Sequence, residues 1–149
     1  MSASNAFEND CLLLLFNNTT AAGWGDVTGI VGSGTAGSLF VALHTSDPGE
    51  AGNQTTNEIS YTGYARVAVA RSSSGWTVSG TAPTQAANAA AVTFGACTAG
   101  SGTATFFSVG KSTSGAGEIL ASGALTASLS ISAGITPSFA IGALTVTLD

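Results

Sequence analysis

A two-residue alternation of apolar and polar side chains recurs along this chain and restricts its fold more than any other feature. It is clearest in residues 125–131 and 144–148, where Leu, Ile and Val alternate with Ser and Thr, and it also opens the stretch 39–69. Successive side chains of a strand point to opposite faces, so this period indicates half-buried strands. Roughly eight short strands separated by Gly/Ser turns predict an all-β fold. We expect an antiparallel β-sandwich, with a jelly roll as one arrangement that fits.

One helix is predicted before the strands, over residues 5–17. Asn5 and Glu8 have the spacing of a capping box. The apolar face predicted for the helix consists of Phe7, Cys11, Leu14 and Leu15, and it is enlarged by Leu12, Leu13 and Phe16. Such a helix either closes one end of the β core or docks on a neighbouring subunit. A glycine-rich loop is predicted over 19–38, where the chain either connects elements or contacts another protein, and the sandwich over 39–149. Together they predict a single domain, 1–149.

The chain carries unusually little charge. Charged residues make up 7% of the sequence, against about 25% in ordinary soluble domains. This composition suits a protein that is packed in an assembly, although a stable β-domain with a neutral surface also fits. The formal net charge is −5, and Arg66, Arg71 and Lys111 are the three strong cations. Because they do not cluster, we expect no binding to nucleic acid or to anionic membranes.

The stretch LFVALHTSDPGEAG, followed by NEI and GYAR, resembles the signature of small structural proteins of tailed-bacteriophage virions. The matching residues are 40–49, 57–59 and 63–66, and the C-terminal segments 134–139 and 142–148 are also similar. Members of that family are commonly labelled tail or tail-fibre proteins. The resemblance therefore implies a virion component made in the host bacterial cytoplasm, without implying a place in the virion.

Of the virion roles, we favour a capsid decoration (cement) protein that stabilises the head by bridging major capsid subunits. A compact domain of low charge without an appended binding module fits this role. The alternative is a tail or baseplate-associated structural protein, and a carbohydrate-binding or hydrolytic module is a third interpretation. The expected partners are the major capsid protein, or tail proteins in the alternative, and further copies of the chain, a trimer being the favoured form.

The charged loop of the signature contains the residues predicted to lock the structure. Proline presets φ and glycine tolerates positive φ, so Asp47, Pro48 and Gly49 predict a turn. Arg66 can hold Glu58 or Asp47 by a bidentate pair that fixes the loop against the sheet. The predicted structural set is Asp47, Pro48, Gly49, Glu58, Tyr64 and Arg66.

Catalytic, cofactor and metal sites are not predicted. His44 is the single histidine, and no Gly-x-Ser-x-Gly motif accompanies it; we expect it at the polar rim of a sheet. Asp47, Glu50 and Glu58 do not have the spacing of a calcium-binding EF-hand loop. Cys11 and Cys97 are expected to be free thiols. The protein is therefore expected not to be an enzyme.

Overall fold

A computed structural model describes residues 3–80 and 84–148, which form antiparallel sheets and one helix. The elements in chain order are α1 Asn5–Asn17, β1 Ser38–His44, β2 Val67–Ala70, β3 Trp76–Ser79, β4 Gln85–Asn88, β5 Val92–Thr93, β6 Ser101–Gly110, β7 Ile119–Ser132, β8 Ser138–Phe139 and β9 Thr145–Thr147. The predicted all-β class with a short N-terminal helix is confirmed. Within the described residues, no helix is both long and apolar enough to span a membrane.

The chain divides into two compact units. One is built from residues 1–38, 70–91 and 140–149, and the other from residues 39–69 and 92–139. Neither unit is continuous in sequence. That both units belong to a single domain stays a prediction.

The first unit joins α1 to a three-stranded sheet with the order β3-β4-β9. The helix has the predicted bounds, but its N-cap is Ser4, whose Oγ accepts a hydrogen bond from the amide of Phe7, so the predicted cap at Asn5 is wrong by one residue. The predicted centre of the apolar face was also wrong, although two of the residues predicted to enlarge it, Leu12 and Phe16, are buried. Glu8, Leu12 and Phe16 are buried, whereas the Phe7 side chain is 48% exposed. The spacing i, i+4, i+8 brings these three residues onto one side, where Phe16 packs edge-on against Trp76 of β3.

The alanine-rich stretch 85–91 contains β4, the central strand of this sheet. Ala86 and Asn88 of β4 are buried. The Asn88 side chain donates to the carbonyls of Ala90 and Ala140 and accepts from the amide of Leu144, each at 2.8 Å. One buried amide side chain thereby ties three backbone segments together.

The second unit contains a four-stranded sheet with the order β2-β1-β6-β7 and a two-stranded sheet, β5-β8. Strand β1 runs antiparallel to β6, with Phe40 opposite Gly110 and His44 opposite Phe106. The core of this unit consists mainly of aliphatic and aromatic side chains: Leu39, Val41, Leu43, Ile59, Tyr61, Val69, Val92, Phe94, Phe107, Val109 and Ile131.

Candidate functional site around Glu58 and Arg66

A bidentate ion pair between Arg66 and Glu58 lies in the second unit. Arg66 Nε is 2.7 Å from Glu58 Oε1, and Arg66 Nη2 is 2.7 Å from Glu58 Oε2. The Arg66 side chain is 3% exposed and that of Glu58 16%. Two parallel charge-assisted bonds fix both position and direction, which a lysine could not do. Asp47 and Glu58 were both predicted as possible partners of Arg66, and Glu58 is the one that pairs with it.

The remaining donors of Arg66 bind the connection between β6 and β7. Nη1 donates to the carbonyl of Ser112 at 2.9 Å, and Nη2 donates to that of Gly115 at 2.8 Å. The hydrogen bonds to Glu58 raise the pKa of Arg66 further above its ordinary value, so the guanidinium stays charged. One side chain thus holds both Glu58 and a loop that is distant in sequence.

Tyr64 connects the ion pair to β1. Its hydroxyl donates to Glu58 Oε1 at 2.9 Å and accepts a hydrogen bond from the amide of Leu43 at 3.1 Å. Burial raises the pKa of Tyr64 well above its usual value, because the phenolate would lose its hydration. The ring also stacks on Phe94, with 6.0 Å between centroids.

Asp47 serves the turn instead of the ion pair. Its Oδ1 accepts from the amide of Gly49 at 2.8 Å, and Gly49 has φ of 71°, which favours glycine. Pro48 between them is buried. Asn57 closes the same loop, because its Nδ2 donates to the carbonyl of Asp47 and its own carbonyl accepts from the amide of Thr45. The loop therefore delivers Glu58 to the end of β1.

His44 is fully buried, so the prediction that it lies at the sheet rim is wrong. The reason is that β1 lies between two other strands of its sheet. Its Nδ1 lies 2.8 Å from the carbonyl of Thr56 and therefore carries the proton, while Nε2 accepts from Ser108 Oγ at 2.8 Å. Burial lowers the pKa of His44, which favours the neutral ring. Ser108 is also 0% exposed, so this serine–histidine pair has no access to a substrate.

Sequence reasoning missed Gln54, which is fully buried in the same unit. Its Nε2 donates to the carbonyl of Phe40, and its Oε1 accepts from the amide of Ser112. A Cβ at Gly110 would stand 2.3 Å from Gln54 Cδ, so this glycine provides the space for the amide. A single sequence offers no sign of this contact, because Gln54 lies in a polar loop typical of exposed residues.

Two open pockets adjoin these residues. One of about 260 Å³ lies directly on the ion pair and is lined by Glu58, Tyr64, Ala65, Arg66, Thr113, Ser114 and Gly115. The other, of about 420 Å³, is lined by Asp47, Gly49, Glu50 and residues 119–122. In residues 3–80 and 84–148, no three His, Cys, Asp or Glu side chains converge as metal ligands would.

The family described as podophage GP4 fiber I protein gp80 matches residues 2–147 of the chain. The chain belongs to this fiber I family. It is a structural component of a phage virion. No curated protein matches the chain.

The match to the fiber I family includes the whole network of Glu58, Tyr64 and Arg66. It also includes Arg71, a second anchor that sequence reasoning missed. Arg71 Nε donates to the carbonyl of Leu15 at 2.7 Å, and Nη2 donates to that of Leu14 at 2.8 Å. A guanidinium at the last turn satisfies carbonyls that the helix leaves free and interacts favourably with its dipole.

Arg71 also binds outside the helix, through the side chain of Asn18 and the carbonyl of Ala36. It thereby connects the helix end to the glycine-rich loop. The third cation, Lys111, pairs with Glu118 on the surface. All three strong cations of this fiber I protein are thus engaged within the chain.

The two cysteines are free, as predicted, and lie in different units. Cys11 is half-buried on α1, whereas Cys97 is buried. The Cys97 thiol is within 3.5 Å of the carbonyls of Ala99 and Gly100. Cys97 therefore behaves as a small core residue.

Proposed function

We propose that this chain is a structural subunit of a podophage tail fibre. The observation that supports this role is the fiber I family match over residues 2–147. It favours the tail-associated alternative over the capsid decoration role that low charge and a compact domain suggested. The partners are then tail proteins and further copies of the chain, in place of the major capsid protein.

The protein acts by binding and not by catalysis. Support comes from Arg66, His44 and Ser108 in the second unit, whose polar groups make hydrogen bonds within the chain. Arg66 makes four hydrogen bonds within the chain. His44 and Ser108, the one pair with the chemistry of a base and a nucleophile, are both 0% exposed, and Nδ1 of the histidine meets a carbonyl instead of an orienting carboxylate.

Location in the virion tests the proposed role. Purified virions would be dissociated into heads and tails, and both fractions probed by mass spectrometry and by gold-labelled antibodies against this chain. We expect the label on tail fibres, in a few copies per particle. Label spread over the capsid in hundreds of copies would contradict the fibre role and restore capsid decoration.

Phages that lack the gene provide a second test. We expect filled heads of normal heat resistance that adsorb poorly to the host, with adsorption restored by the gene supplied in trans. Heads that adsorb normally but lose DNA on heating would contradict the proposal. The His44→Gln variant is the control for hidden chemistry, because a variant that folds and still complements leaves no catalytic role for His44.

A further inference from the structure

Strand β7 forms one end of the four-stranded sheet and is its most open element. In the part of the chain that the structure describes, β7 pairs with β6 on one side and with no strand on the other. Its 14 residues span roughly 45 Å at the usual rise per residue. A single residue, Ile131, is buried, and the others are half-buried or exposed in near alternation, while residues 119–122 line a pocket with Asp47, Gly49 and Glu50. One face of the strand is therefore open along most of its length.

The composition of β7 does nothing to prevent pairing. The strand reads ILASGALTASLSIS and contains neither a charged residue nor a proline. Proteins that stay monomeric usually protect an edge strand with lysine, proline, a short length or a covering element. Of the usual protections, β7 has only bulges, a short one at Leu120 and a longer one at residues 125–128.

The longer bulge lies in the middle of the strand. The β6 ladder places Ala104 opposite Leu129 but Phe106 opposite Ala124, so residues 125–128 face the single residue Thr105. These four residues keep an extended conformation outside the β6 register, and Thr126, Ala127 and Ser128 are exposed. A bulge often bends an edge away from a partner. Here the bulge leaves residues 125–128 extended, and these residues have no register partners in β6.

We propose that β7 is the contact between two copies of this chain, which pair antiparallel about a two-fold axis at Thr126. Each strand then supplies the edge that the other lacks, and the two central bulges meet at the axis. A two-fold contact uses the same surface on both partners.

A second copy fits this edge for two reasons. It presents an edge of equal length, whereas the open edges of β2, β3 and β9 in the described chain have four, four and three residues. The β7 edge also carries no charge, so self-pairing never sets like charges opposite each other. The Ser and Thr hydroxyls of the two strands can pair across the contact. The inference does not depend on the fibre role. It predicts a dimeric contact, where the sequence led us to expect a trimer.

A charge-swap experiment tests the contact on the full-length purified chain. We compare Thr126→Lys, Thr126→Glu and an equimolar mixture of the two by light scattering and analytical ultracentrifugation. Two-fold pairing sets like charges close together in each single variant, so we expect self-association to weaken about tenfold or more. In the mixture, opposite charges meet, and dimers should re-form in a salt-sensitive way.

Ser73→Lys is the matched control, because Ser73 is exposed in a turn of the other unit; it should dimerise like the wild type. Circular dichroism checks that each variant folds, and if the Thr126 variants do not fold, Ser128→Lys and Ser128→Glu replace them. A monomeric wild type, single variants that associate as well as the wild type, or a mixture that stays monomeric would each overturn the proposal.

Discussion

At the scale of single residues, the charged pair of Glu58 and Arg66 is the most informative feature. Removing two charges from water costs several kcal/mol, and the pair recovers this only with good geometry and further hydrogen bonds. Both conditions are met here, because the two carboxylate oxygens accept from Arg66 and Tyr64 while the guanidinium also binds two carbonyls. Loss of one partner should therefore cost more than loss of both.

We predict that Arg66→Ala lowers the free energy of unfolding by about 3 kcal/mol, since it leaves a mostly buried carboxylate without its partner. Urea unfolding of Arg66→Ala, Glu58→Gln and the double variant measures their coupling, which should exceed about 1 kcal/mol. Asp47→Asn is the matched control and should show no coupling to Arg66, because Asp47 binds the turn amide of Gly49. Strict additivity of the Glu58 and Arg66 changes would contradict this interpretation.

His44 makes stability depend on pH in a defined direction. Burial lowers the pKa of the folded-state histidine below its ordinary value of about 6.5. Below that pH the unfolded chain binds a proton that the folded chain resists, so stability is complete above about pH 6.5 and falls as the pH decreases. We predict a lower urea midpoint at pH 5.5 than at pH 7.5.

Two variants separate this effect from the titration of carboxylates. His44→Gln should flatten the dependence between these two pH values, whatever it costs in stability. Ser108→Ala removes the hydroxyl that donates to Nε2 but keeps the titrating ring, so it should retain the slope. An unchanged slope in His44→Gln would show that another group is responsible.

At the scale of elements, Arg71 holds α1 and the glycine-rich loop together. Its guanidinium binds the carbonyls of Leu14 and Leu15 at the helix end and that of Ala36 in the loop. Within the loop, Ala21 pairs with Ile30, and Asn18, which binds Arg71, also accepts a hydrogen bond from the amide of Ser33. The end of the helix and the loop should therefore loosen together.

We predict that Arg71→Ala destabilises the protein by about 2 kcal/mol, in the range for hydrogen bonds to a charged group. Hydrogen exchange should speed up in the last turn of α1 and in residues 19–38. Lys111→Ala is the matched control, because it removes a cation from an ion pair whose side chains are both at least 60% exposed; its cost should stay below about 1 kcal/mol. Equal effects of the two changes would refute the anchoring role.

At the scale of the whole molecule, the path of the chain connects the two units covalently at several points. The chain passes between them four times, at residues 38–39, 69–70, 91–92 and 139–140. A unit assembled from separate segments must close the intervening segments as loops, which costs conformational entropy. Independent folding of either unit is therefore disfavoured.

We predict one cooperative unfolding transition, with a calorimetric enthalpy equal to the van't Hoff enthalpy. For 149 residues the enthalpy should be about 100 kcal/mol at about 60 °C. Differential scanning calorimetry measures both quantities. Two resolved transitions, or a calorimetric enthalpy well above the van't Hoff value, would show that the units unfold separately.

Local sequence patterns suffice for the class of the fold and for the position of many elements. Side chains alternate across a strand by local geometry, so β1 and β9 could be found from their period alone. The helix at 5–17 could be found from its apolar content and, to within one residue, from its capping pattern. The virion assignment was also within reach, because the signature around Asp47 and Arg66 is local in sequence.

Only the tertiary structure decided which side chains are buried and which partners they meet. His44 and Gln54 look like surface residues in sequence, yet strand order and the space beside Gly110 enclose them. Both Asp47 and Glu58 were predicted as possible ion-pair partners of Arg66. Asp47 binds the turn amide of Gly49, and Glu58 pairs with Arg66. The open edge of β7 likewise follows from its place in the sheet. These outcomes depend on contacts between residues far apart in the chain. The local alternation of apolar and polar residues carries no information about such contacts.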